Sequence, residues 1–118
     1  MTNEELKERT LQLAVRVMKF ADSLPRTASG KAIANQVARS GGSVAANYRA
    51  ALRGKSRPDF INKITIVLEE ADETDLWIEI AKHGGLIPAR RVAKLQAEAV
   101  ELIKIFNATR TTALNHKS

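Results

Sequence analysis

Hydrophobic positions recur along the chain at alternating steps of four and three. The first series is Leu6, Thr10, Leu13, Val17, Phe20 and Leu24, which is one face of a helix. Thr2 and Glu5 precede it with the spacing of a capping box, so a first helix is expected from about Asn3 to Ser23. Leu24-Pro25 ends it, because a residue before proline is pushed out of the helical region. Ser29 is the expected N-cap of a second helix, with Ile33, Val37, Val44, Tyr48 and Leu52 as its stripe and Gly54 as its stop. Ser56, Pro58 and Asp59 then restart the chain as N-cap, early helical proline and N3 acid. The third helix carries Phe60, Ile64, Val67, Leu68, Ala71 and Ile78 and ends near His83-Gly84-Gly85. Pro88 opens a fourth, with Val92, Leu95, Ala99, Leu102 and Phe106 on its stripe. The closing stretch TTALNHKS, residues 111–118, reads as a frayed, flexible tail. No segment alternates as a strand does. Residues 1–110 are therefore expected to form an all-α, antiparallel up-and-down four-helix bundle.

Some apolar residues fall off these stripes. At about 100° per residue, Ile66, Leu76, Trp77 and Ile80 lie roughly opposite the Ile64 series, and Leu11, Val15 and Met18 fall off the main stripe of the first helix. Uneven burial in a short bundle is one explanation. Self-association is the favoured one, with Ile66, Leu76, Trp77 and Ile80 as the oligomer interface, because an apolar stripe left in water finds a partner.

Composition adds bounds rather than a function. A chain of 118 residues, 44% of them hydrophobic, suits a single domain with its own core. It has no cysteine, which excludes disulfides and thiolate chemistry. The polar, acidic N-terminus and the lack of any long apolar run point to a soluble, unprocessed protein in a cytoplasmic setting, without membrane contact.

The formal net charge of +6 permits a nucleic-acid partner, and its distribution sharpens that point. No acid lies between Asp22 and Asp59, whereas Arg26, Lys31, Arg39, Arg49, Arg53, Lys55 and Arg57 all do. From Asp59 to Glu79 the sign reverses, with seven acids against Lys63 alone. Arg39, Arg49 and Arg53 share one sector of the second helix, opposite Val37, Val44 and Tyr48, as an exposed basic stripe. Charge runs usually end as a solvated face. Here no acid stands at i±4 from these arginines, although acids of the third helix offer partners across the bundle or between subunits. Beside the stripe lie Ala34, Ala38, Gly41, Gly42 and Ala45. Glycine costs about 1 kcal/mol relative to alanine inside a helix, so this smooth flank implies close approach of another backbone. A helix of the same bundle, another subunit and a nucleic acid all remain open as that neighbour.

Catalytic patterns are weak. Gly54-Lys55-Ser56 resembles the end of a phosphate-binding loop, but Arg49 stands where the loop needs its first glycine. The acids of the third helix invite comparison with carboxylate-bridged metal bundles, yet the histidines are only His83, at a helix end, and His116. Glu79 and His83 are one turn apart, and a histidine facing the helix dipole explains His83 more simply than a metal ligand. No Gly-x-Ser-x-Gly turn is present. The expectation is a protein that is not an enzyme, with no catalytic residues, no metal and no cofactor. Glu73 and Asp75 are candidates for buried polar contacts that set helix register, and Tyr48 and Trp77 for packing residues with polar handles.

One ordered set of residues carries a resemblance. Arg39-Ser40, Ser43, Ala46-Asn47, Ser56, Asp59-Phe60, Glu70-Ala71, Glu73-Thr74 and Trp77, spread over about Leu24 to Ile87, are similar to the bacterial four-helix bundle proteins related to those encoded in intervening sequences of 23S ribosomal RNA. The resemblance implies assembly into a homopentameric barrel. It extends to the accessory proteins of diversity-generating retroelements, which bind nucleic acid through a basic surface and engage a reverse transcriptase. Arg49, where many relatives carry an acid, and Gly41-Gly42 depart from the commoner pattern. Two functions are thereby set against each other. In the first the chain is a non-enzymatic, oligomeric nucleic-acid-binding accessory protein, for structured RNA or DNA, with contacts from Arg39, Arg49, Arg53, Lys55 and Arg57. In the second it is a scaffold whose arginines meet the acids of a neighbour or of a partner protein such as a reverse transcriptase.

Overall fold

Thr2 opens the first helix as its spacing from Glu5 predicts. Its hydroxyl accepts from the Glu5 amide at 3.1 Å, and the Glu5 carboxylate accepts the Thr2 amide at 3.3 Å, so two amides left over at the helix start are satisfied. The computed structural model describes residues 1–116. They form α1 (Asn3–Ser23), α2 (Ala28–Leu52), α3 (Arg57–His83) and α4 (Ala89–Asn115), with no strand among the described residues.

The other boundaries follow the chain chemistry, with two corrections. Thr27, not Ser29, caps α2. Its extended backbone lets the hydroxyl accept from the Gly30 amide at 3.1 Å, and Gly30 lies so near the Pro25 carbonyl that an added Cβ would be 1.9 Å from its oxygen. Ser56 caps α3 through the Asp59 amide at 3.2 Å, with Pro58 in the first turn. Gly85, at φ 74°, ends α3. Its amide reaches the Lys82 carbonyl at 3.1 Å while Leu86 reaches Ala81 at 2.9 Å, the paired bonds of a Schellman motif. The second correction concerns the expected tail: α4 continues through Asn115. Arg57 Nη1 donates to the His116 carbonyl at 2.7 Å, and Ala113 lines an apolar cleft with Leu6 and Phe60, so these last turns have contacts to hold them. Lys117 and Ser118 lie outside the described residues.

Every neighbouring pair runs antiparallel, because contacts early in one helix fall late in the next. Tyr48 reaches Asn3 whereas Gly41 packs on Val17. Ser40 meets Thr74 near the middle of α2 and α3, while Gly54 and Phe60 come together at their joined ends. Asp75 meets Gln96, and Thr65 meets Arg110. The helices form a ring in chain order, α4 closing on α1, in a bundle of 51 × 21 × 20 Å.

The predicted stripes are the core. All six residues of the α1 series are buried, as are Ile33, Val37, Val44 and Tyr48 of α2, and the full α4 series. Tyr48 stacks at a tilt on Phe106, ring centroids 5.3 Å apart. Leu52 and Phe60, toward one end of the bundle, and Leu68, near the middle of α3, are only half-buried. No helix among the described residues is long and apolar enough to cross a membrane.

Candidate nucleic-acid interface

The five cations expected to act together along α2 and its exit do not share one environment. Arg39 is engaged within the chain: Nη1 donates to Glu70 at 2.7 Å and Nη2 to Glu73 at 2.5 Å, both on α3. This is the pairing across the bundle that the acids of the third helix offered. Arg57 donates to the His116 carbonyl and so ties the start of α3 to the end of α4. Arg49, Arg53 and Lys55 have side chains free of any ion pair among the described residues, and all three are exposed. The basic stripe therefore reduces to a cluster at the C-terminal end of α2, where a helix favours cations. Arg49 shares a shallow hollow with Glu4, Lys7, Glu8 and Leu11 of α1, which makes it the least isolated of the three.

Arg39 belongs instead to a polar seam between α2 and α3. Ser40 and Thr74, both fully buried, place their hydroxyls 2.8 Å apart, each also within hydrogen-bond reach of a carbonyl of its own helix, Val37 and Glu70, so one hydroxyl donates to the other, which donates to its own carbonyl. Trp77 Nε1 donates to Glu73 at 3.1 Å. The Arg39 hydrogen bond first, and the Trp77 one second, hold the Glu73 carboxyl below its usual range, and the carboxylates of Glu73 and then Glu70 raise the Arg39 guanidinium. Asn47 Nδ2 donates to the Ser43 carbonyl and hydroxyl, both at 2.9 Å, one turn back on α2. Arg39, Ser40, Glu70, Glu73, Thr74 and Trp77, scattered through two helices in sequence, are thus one interhelical cluster. Its work is to register α2 against α3.

The two glycines divide between neighbours. Gly41 is buried against α1, where an added Cβ would stand 2.7 Å from Val17 Cγ1, so the neighbour that needs it is a helix of the same bundle. Gly42 faces outward with nothing within 4 Å of an added Cβ.

On α3 the outer face mixes apolar and acidic side chains. Ile66, Leu76 and Ile80 are 37%, 52% and 40% exposed, on the helix side away from Ile64, Val67 and Ile78. Trp77 is half-buried and packs against the core, so it borders that face rather than standing on it. Met18 and Leu11 of α1 are exposed as well.

Sequence reasoning did not find two further ties. Arg9 of α1 forms a forked pair with Glu98 at 2.9 and 2.5 Å and adds Glu101 at 3.0 Å, closing α4 onto α1. Gln96 of α4 bonds Asp75 at 3.0 Å and Glu79 at 2.6 Å, and Lys82 joins the same group. Asp75 therefore has the polar contact expected of it. Lys82 first, then Gln96, hold the Glu79 carboxyl down to about 2. His83 lies 3.2 Å from Glu79 at the exposed end of α3, and no group of three metal-ligating side chains comes together among the described residues.

The model of the 23S rRNA-intervening sequence protein family matches residues 2–108. The chain belongs to that family. A protein of unknown function from the S23 ribosomal protein family, of Bacteroides thetaiotaomicron, has a similar crystal structure: TM-score 0.82 and 32% identity, covering 88% of this chain and 96% of that one. None of the curated proteins compared is similar to the chain. Membership of the 23S rRNA-intervening sequence family agrees with the four-helix bundle, and it leaves the activity to be argued from the surface.

Proposed function

We propose that the chain is a non-enzymatic, oligomeric nucleic-acid-binding accessory protein of the bacterial cytoplasm, acting on structured RNA. The observation that carries this reading is the exposed cluster of Arg49, Arg53 and Lys55, three cations without an ion pair at one end of α2. Arg39 and Arg57 serve it indirectly, by fixing α2 on α3 and α4 on α3. Contacts of this kind read phosphates and shape; the aromatic rings that would stack on bases, Tyr48 and Trp77, are committed to packing.

Oligomerisation belongs to the same proposal. Ile66, Leu76 and Ile80 supply an apolar face, and a homopentameric barrel is the assembly that the family resemblance implies. Repeating a weak basic cluster around a ring raises its effective affinity without new contacts. A second reading, a scaffold that docks a partner protein such as a reverse transcriptase, is favoured by the same face, since its apolar side chains lie among Glu69, Asp72 and Glu73.

The test is fluorescence anisotropy with a labelled structured RNA, comparing the wild type with Arg49→Glu/Arg53→Glu/Lys55→Glu after light scattering confirms equal mass. The expected result is a loss of at least about tenfold in affinity, as for removal of several phosphate contacts. Equal binding by both proteins removes the α2 cluster from the interface, and no binding by either at low salt favours the scaffold.

A further inference from the structure

The α1–α4 contact is the least extensive of the four in the ring, and it opens into a cleft of about 260 Å³ where α1 ends and α4 begins. Arg16 and Lys19 of α1 face Arg91 and Lys94 of α4 across it, over an apolar floor that includes Phe20 and Leu95. No acid lines the cleft, and none of the four cations forms an ion pair among the described residues. The nearest carboxylates in sequence are occupied or turned away. Glu98 is held by Arg9, and Asp22 lines a separate hollow with Pro25 and Arg26.

Four like charges gathered from two helices repel one another, and the local helix end does not relieve them. Arg90 and Arg91 stand in the first turn of α4, where the helix dipole disfavours cations, and that turn contains no acid. An anion in the cleft would answer both. The volume falls below the range of about 300–1,000 Å³ usual for drug-sized ligands, which suits a small charged group better than a bulky molecule. Two guanidiniums that reach from opposite walls match the oxygens of a phosphate.

We propose that this cleft binds phosphates of an RNA backbone, as a contact site separate from the α2 cluster. Arg49, Arg53 and Lys55 lie toward the bundle end where α1 starts and α2 finishes, whereas the cleft lies toward the other end, so the two sites engage different stretches of one RNA. The assignment rests on the nucleic-acid reading above, and the experiment separates the two.

A labelled structured RNA is titrated by anisotropy across a salt series into four proteins. They are the wild type, Arg16→Gln/Lys19→Gln/Arg91→Gln/Lys94→Gln, the charge-keeping Arg16→Lys/Arg91→Lys, and Arg49→Gln/Arg53→Gln/Lys55→Gln. Circular dichroism checks folding, and Lys19→Gln/Lys94→Gln, both at exposed positions, replaces the quadruple variant where that one fails to fold. The cleft variant is expected to bind at least about tenfold more weakly at low salt, with a log–log salt slope shallower by about 0.9 per lost phosphate contact on a duplex. The charge-keeping variant is expected to keep the wild-type salt slope while losing part of the affinity, because each forked guanidinium is replaced by a single ammonium. If the cleft variant binds as the wild type does while the α2 variant is weakened, the cleft assignment is overturned and the function stands. If the wild type binds no RNA, both are overturned. Calorimetry with inorganic pyrophosphate separates the sources of phosphate: saturable heat lost only in the cleft variant, with RNA binding unchanged, assigns the cleft to a free anion and overturns the RNA contact.

Discussion

At Gly41 an added methyl group would stand 2.7 Å from Val17 Cγ1, whereas at Gly42 it would meet nothing within 4 Å. The same substitution is therefore expected to act in opposite directions at adjacent positions. Gly41→Ala should destabilise, because crowding a packed contact costs about 1–3 kcal/mol and exceeds or cancels the roughly 1 kcal/mol of helix propensity gained. Gly42→Ala should stabilise by up to about 1 kcal/mol, raising the melting temperature by roughly 3–5 °C. Thermal melts by circular dichroism decide this. A fall at Gly42 would mean that a neighbouring subunit packs on that surface. The chain alone revealed a flank without side chains, but adjacent residues on a helix point about 100° apart, so one glycine met α1 and the other met solvent. That distinction required the position of α1.

For whole helices most of the architecture was legible, since stripes and caps are local signals. The capping box at Thr2, the Ser56 restart and the glycine stop after His83 all appear where the spacing places them. Thr27 stands in place of Ser29 as the cap, with Gly30 close under the Pro25 carbonyl, a local turn geometry that residue preferences for capping do not contain. Partners across a seam were harder. Arg39 and Glu73 are 34 positions apart, and a helical wheel gives only the sector of each. The acids so engaged have a pH signature. Glu79 sits at about 2 against an ordinary 4.5, through Lys82 and then Gln96, and Glu73 is lowered chiefly by Arg39. A carboxyl with a depressed folded value contributes stability that is complete above its unfolded value and is lost as pH falls toward the folded one. The melting temperature should therefore fall as pH drops from about 4.5 to about 2, and Arg39→Met/Lys82→Met should flatten that decline. Melts at stepped pH check it; an equal decline in the variant would place the acid sensitivity in other carboxylates.

On the scale of the whole molecule the described surface carries an apolar face on α3 and cations gathered toward both ends. The off-stripe residues Ile66, Leu76 and Ile80 were visible in the sequence as a second series, and they are exposed in the folded chain. The cleft cations were not visible as a group, because Arg16 and Lys19 lie some 70 positions from Arg91 and Lys94 and come together only when α4 closes on α1. If the α3 face drives assembly, Leu76→Glu/Ile80→Glu should lower the mass seen by light scattering to that of smaller species while helix content is kept. An unchanged mass would move the interface elsewhere. The account as a whole stands on electrostatic contact between this surface and a nucleic-acid backbone. The most direct measurement is the affinity of the wild-type protein for a structured RNA between about 50 and 200 mM salt. The account predicts a linear fall of log affinity with log salt, at a slope of about −0.9 for each duplex phosphate neutralised. Binding that does not change with salt, or none at the lowest salt, would contradict it.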